Sequence, residues 1–346
     1  MRWTPKLVDY AELHCISNFT FLRGASHPEE LVKRAHYLGY KALAITDECT
    51  VAGVVKAHIA AKQCGLHLII GSEFLFFDGL KVVILAKNHL GYSRLTRLIT
   101  LARSAAPKGS YSITKENIAE SGITDCLFLI CCDAHSGDND TLKYRYKALH
   151  NNCLWLNALF PNLVWIATQQ ATNGFDSEHL TNLKHISKDS GIPLVATGNV
   201  CMHIRDRQKL QDIVTSIRLK KTIYESHYQL NSNSERHLRK LDLLHNLYPR
   251  EMLNETINIA NHCNFSLDTL DYSYPDEFTP KGSDKDAYLH QLTIEGMNKR
   301  WPNGAPSVIQ EQIKLELKLI KDLNYESYFL TVYAVSYTHL TLPTNR

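Results

Sequence analysis

The chain has 346 residues, 44% hydrophobic and 21% charged, with a formal net charge of +3. This composition is ordinary for a soluble globular protein of one large domain plus part of another, and the charge is too small to identify a nucleic-acid partner. Nine cysteines, an odd number without a CxxC pair, exclude a disulfide scaffold and a zinc ribbon and lead us to expect a reducing cytoplasm. No leader-like or bilayer-length apolar run is present, so a soluble, non-exported protein is expected.

The elements begin with a strand-helix-strand unit over residues 11–50. Residues 10–14 form a short extended run. Ser26 and Glu29 make a capping box, and Pro28 sits where its missing N–H costs nothing. Leu31, Ala35 and Leu38 then share one helix face, and Gly39 supplies a left-handed stop. Residues 41–46 read as a buried strand ending on Asp47-Glu48-Cys49. A helix over 51–64 closes at Gly65, and a strand over 67–71 ends on Ser72-Glu73. Asp78-Gly79 marks a hairpin turn between 74–77 and 81–85, followed by a helix over 91–105. Further on come a strand over 126–132, a polar turn over 133–140 and a helix through Leu149. Strand candidates follow at 154–156 and 163–166, then a helix over 177–190 and a strand over 193–197.

This alternation over residues 10 to about 203 predicts a parallel or mixed α/β barrel. Parallel strands joined by helices deliver their carboxyl ends to one rim, where α/β enzymes build their sites. His14, Asp47, Glu73, Asn199, Cys201 and His203 all fall at predicted strand ends. Each taken alone reads as a strand cap or a loop hydrogen-bonding residue; their recurrence argues for a real or vestigial site. Beyond the barrel, 208–219, 235–247 and 249–263 are helical by pattern. Residues 271–283 are rich in Pro, Gly and acids and mark a boundary, with helices over 284–301 and 305–323 after it.

The motifs LHCISNFTFLRGASHPEELV, ALAITDEC, IIGSEF, LAKNHLGYSRLTRLI and PLVATGNV resemble the polymerase-and-histidinol-phosphatase (PHP) domain that opens bacterial DNA polymerase III alpha-type subunits, most closely in the error-prone branch. The resemblance continues through ERHLRKLDLLHNLYP to LELKLIKDLNYESYFLTVY. It implies a distorted β/α barrel over 8–205, a helical extension over 206–270 and the truncated start of a polymerase palm over 271–333. Residues 334–346 include VSYTHLTLPT, which resembles a translated sequencing adapter; we set this tail aside as non-native and expect a fragment cut off inside the palm.

Active PHP domains hold up to three metal ions through His, Asp, Glu and Cys. By resemblance, His14, Asp47 and Glu73 match metal-ligand positions as vestigial members, and Glu48 and Cys201 are weaker candidates standing where other ligand types belong. Ile16, Lys81 and Asn199 replace further ligands. Isoleucine has no lone pair to donate and a lysine ammonium repels a dication, so the expectation is no metal or one weakly bound divalent ion, and no catalytic residue in this chain. The resemblance implies a parent DNA polymerase using magnesium, with DNA and deoxynucleoside triphosphates bound by domains beyond Tyr333. Translesion accessory proteins and a sliding clamp are the implied partners, in the cytoplasm and without a membrane. A free-standing PHP phosphoesterase or exonuclease, and a non-enzymatic interaction module for replication or repair, are the rival readings.

Overall fold

The computed structural model describes residues 8–132, 139–270 and 284–341. It divides into two compact units, 1–270 and 271–346. The predicted turn over 133–140 lies mostly outside the described residues, as do the boundary segment 271–283 and the last five residues of the tail.

In the first unit, β1 (Ala11–Glu12), α1 (Pro28–Tyr37), β2 (Ala42–Ile45), α2 (Val54–Cys64) and β3 (His67–Leu75) follow one another. β4 (Lys81–Ala86), α3 (His89–Ser104), α4 (Lys115–Glu120), β5 (Cys126–Cys131) and α5 (Asn139–Leu159) come next. β6 (Val164–Gln169), α6 (Asp176–Ser190) and β7 (Leu194–Thr197) complete the sheet. α7 (Gln208–Leu219), the single turn α8 (Ile223–Ser226), α9 (Leu241–Leu247) and α10 (Arg250–His262) extend it.

The seven strands lie in sequence order, parallel except where the β3-β4 hairpin makes β4 antiparallel to both neighbours. Beyond β1 and β7 the chain pairs again: Ile16 N–H donates to Val200 O at 2.8 Å and Val200 N–H to His14 O at 2.9 Å. A parallel bridge between Cys15 and Val200 thus draws the two edges together, and the sheet is a nearly closed barrel, as the α/β alternation predicts.

Strand side chains alternate between two layers, as the pleat requires. Leu43, Ile45, Val82, Ile84, Phe128 and Ile130 pack outward with helix residues such as Leu31, Ala57 and Leu95. Ala11, Leu13, Ala44, Ile69, Val83, Leu127, Leu129 and Trp165 form a second layer with Ile259, Ala260 and Cys263 of α10. α10 is tied there by Ala11 N–H donating to Thr256 Oγ1 at 3.1 Å and Trp165 Nε1–H to Glu255 at 3.0 Å. It therefore packs at the end where β1 and β6 begin, leaving the carboxyl ends of the parallel strands as the rim.

Three local expectations change. The first residue of α1 is Pro28 as expected, but the cap is His27, whose N–H bonds Glu30 at 2.9 Å. Ser26 instead accepts from His203 N–H at 2.9 Å, so a tertiary partner outcompetes the local capping box. Residues 154–156 are helical within α5, because Leu149, Cys153 and Leu156 at i, i+4 and i+7 are the buried positions while Leu154 is exposed. Residues 235–240 are not helical: Cys201 N–H donates to Arg236 O at 3.0 Å and Met202 bridges His237, so this stretch lies along the chain past β7.

The second unit contains three helices: α11 (Lys285–Arg300), α12 (Ser307–Asp322) and α13 (Glu326–Thr341). Asp284 caps α11 by accepting from Ala287 N–H at 3.3 Å, and Lys321 of α12 pairs with Asp286 of α11 at 2.7 Å. Leu289 and Leu330 are its buried hydrophobic residues among those described.

Candidate functional site

β3 runs past its expected end to Leu75, and this places Glu73 on the rim with its side chain wholly buried. Glu73 Oε2 lies 2.6 Å from His14 Nε2, which follows β1. An ionised carboxylate only accepts, so Nε2 carries the proton; in the neutral imidazole Nδ1 then faces the Cys131 thiol, 3.7 Å away. The other oxygen of Glu73 accepts from Arg23 Nη1 at 2.9 Å, and the same nitrogen also bonds Glu48 Oε2. Glu48 Oε1 in turn accepts from the Tyr111 hydroxyl at 2.8 Å.

One guanidinium nitrogen therefore stands between two carboxylates that β2 and β3 deliver to the rim. Burial works to raise the Glu73 carboxyl, but the His14 bond and charge, with Arg23 and Lys81, override it and hold the group far below the usual carboxylate range. Burial likewise opposes the Arg23 charge, and Glu73 and Glu48 more than offset it.

Of the residues singled out by sequence, His14, Glu48 and Glu73 come together. Asp47 is adjacent but committed elsewhere: it accepts from Ser17 N–H at 2.7 Å, Ser17 Oγ at 2.7 Å and Thr20 Oγ1 at 2.6 Å. Burial raises its carboxyl while those donors pull it down, and their effect is to pin the turn that carries Arg23. Cys201 lies with Ile16, Ala25 and Met202 in a separate apolar cluster, and burial pushes its thiol up, away from the thiolate a metal needs. Asn199 Oδ1 accepts from Arg236 Nη2 at 2.5 Å. His203 pairs with Ser26 at 2.8 Å and takes no part in the rim.

The donor set does not fit a divalent metal. Arg23 occupies the space between the two carboxylates, Lys81 adds a second cation beside Glu73, and Ile16 contributes only alkyl surface. Among the described residues no group of three or more His, Cys, Asp or Glu is arranged to hold a metal ion. Sequence reasoning missed Arg23, because an arginine in a loop carries no periodic signal. It also missed Glu12, buried beneath the rim, where it accepts from Tyr10 OH at 2.9 Å, His14 N–H at 3.0 Å and Gly198 N–H at 3.0 Å.

Residues 12–169 match the PHP domain family, and residues 287–338 match the bacterial DNA polymerase III alpha NTPase domain. An error-prone DNA polymerase of Dechloromonas aromatica is 48% identical over 333 residues, covering 95% of this chain and 31% of that protein. One from Methylococcus capsulatus is 46% identical over 326 residues, covering 94% of this chain and 30% of that protein. The chain thus spans about 30% of the length of these relatives. Among solved structures, an amidohydrolase from Chromobacterium violaceum with bound sulfate and no metal aligns at TM-score 0.41 and 14% identity, covering 54% of this chain and 86% of that chain; that level of likeness leaves function open.

Proposed function

We propose that this chain, a PHP-domain homologue of the error-prone DNA polymerases, is the amino-terminal part of a translesion DNA polymerase, and that its PHP rim serves as a scaffold and not as a phosphoesterase. The observation that carries the second half is the position of Arg23. A hydrolytic PHP centre needs dications to lower the pKa of bound water and polarise the phosphoryl group. Here a fixed monovalent guanidinium joins Glu48 to Glu73, which holds the strand ends together but offers no open coordination position.

Polymerisation belongs to parts of the parent outside this chain. DNA, deoxynucleoside triphosphates and two magnesium ions would be bound by palm carboxylates beyond Tyr333, with a sliding clamp and translesion accessory proteins as partners. Helices α11 to α13 would open that palm. No helix among the described residues is long and apolar enough to cross a membrane.

The test has two arms. The native genomic locus is expected to continue in frame into a palm with paired aspartates; a stop codon soon after Tyr333 would count against the polymerase reading. The purified 346-residue chain, dialysed against zinc or manganese, is expected to retain well under one ion per chain and to hydrolyse neither p-nitrophenyl phosphate nor primer 3′ ends. A stoichiometric metal with phosphoesterase activity would overturn the scaffold assignment.

A further inference from the structure

The charges left on the rim do not cancel. A cavity of about 530 Å³ opens there, within the size range of small-molecule sites. Arg23, Lys81, Arg218 and Arg236 face Glu48 and Glu73 across it, and both carboxylates are already bonded to Arg23. Arg236 spends its bonds on neutral acceptors: Asn199 O at 2.8 Å, Asn199 Oδ1 at 2.5 Å and Asn231 Oδ1 at 3.5 Å. Arg218, on α7, has no hydrogen bond or ion pair among the described residues, and burial together with the nearby Arg23 charge pulls its pKa down. Cations gathered at one cavity repel unless an anion enters between them. At the mouth, Phe21 is 81% exposed, a bare ring beside charged groups.

Resting on the reading that the rim holds no metal, we infer that this cavity is a metal-independent pocket for a phosphoanion chain, a free polyphosphate or the phosphates of a nucleotide. Arg218, Arg236 and Lys81 take the phosphate oxygens, guanidinium groups being matched to such oxygens in charge and fork geometry. Phe21 offers its face to a base when the phosphates belong to a nucleotide. Arg218 and Arg236 lie outside the residues that match the PHP family, so the pocket is assembled by the helical extension and not by the domain's own rim alone.

The experiment titrates pyrophosphate and, separately, dATP into the full chain at low salt in excess EDTA, read by calorimetry. Saturable one-to-one binding is expected, weakened about tenfold in Arg218→Gln and lost in Arg218→Glu. Arg218 is exposed and without bonded partners, so unchanged thermal melts establish that these variants still fold. Phe21→Ala separates the two sources: it lowers dATP affinity alone if a nucleotide is the ligand, and equal binding of both probes in every variant identifies the polyphosphate as the whole ligand. Absence of saturable binding, affinity unmoved by both Arg218 substitutions, or binding only after manganese or zinc is added overturns the inference. A chain that is free of metal yet ignores pyrophosphate refutes this pocket and leaves the scaffold reading intact; a chain that arrives with a metal cluster refutes that reading first.

Discussion

A chain carrying Arg23→Met is expected to unfold about 6–12 °C below the parent, a loss of about 2–4 kcal/mol. Removing one partner of a buried ion pair leaves the other charge without compensation, at a typical cost of about 3–5 kcal/mol. The value here is set somewhat lower because the Arg23 and Glu48 side chains are 24% and 19% exposed, so water recovers part of the loss. Methionine keeps much of the apolar stem, which confines the change to the charge. Arg23→Lys is expected to recover only a part, since a point charge on a different stem cannot reproduce the position of Nη1.

The same substitution carries a pH signature that simple loss of packing would not. Glu73 ionises far below its ordinary 4.5 in the folded chain, so the folded state binds fewer protons than the unfolded one as the medium turns acidic. Its contribution is fully present above the unfolded pKa and is lost as pH falls toward the folded one. The parent's melting temperature should therefore drop between about pH 5 and about pH 3. In Arg23→Met this acid limb should flatten without vanishing, because His14 still bonds Glu73. Circular dichroism melts across that range check both effects. An unchanged melting temperature with an unchanged pH profile would mean that the ion pair does not hold the rim.

Gly198→Ala is expected to cost about 2–4 kcal/mol, through crowding and the hydrogen bonds it disturbs. A Cβ at this position would stand 2.5 Å from Glu12 Oε2 and 2.8 Å from Val200 Cγ2. Glu12 cannot swing aside cheaply, because Tyr10, His14 N–H and Gly198 N–H all donate to it. Moving it would leave buried donors without acceptors. The contact matters because Glu12 belongs to β1 while Gly198 follows β7, so one side chain joins the two ends of the sheet. In a Glu12→Asp background the shorter side chain makes room, and the penalty of Gly198→Ala should shrink. A double-mutant cycle by urea unfolding measures this, and equal penalties in both backgrounds would place the crowding elsewhere.

The strands and helices of the barrel were readable because their signals are local. Alternating or continuous apolar runs, the Asp78-Gly79 turn and the stops at Gly39 and Gly65 each depend on neighbours a few positions away, and β1 to β7 fall within a few residues of the expected places. The local signals failed where a distant partner outbid them. Ser26 left its capping box for His203, and residues 235–240 gave up helix for pairing beside Met202.

The sequence by itself determined the barrel, the polymerase kinship and the loss of electron-pair donors at Ile16, Lys81 and Asn199, since residue identity suffices to say what can donate a lone pair. Only the tertiary structure decided what replaced the missing cation. Arg23 meets Glu48 and Glu73 across separations of 25 and 50 residues, and Arg218 and Arg236 join them from beyond the domain. Electrostatic pairing depends on distance and burial, quantities that a linear order of residues does not contain until the strands have closed into a ring.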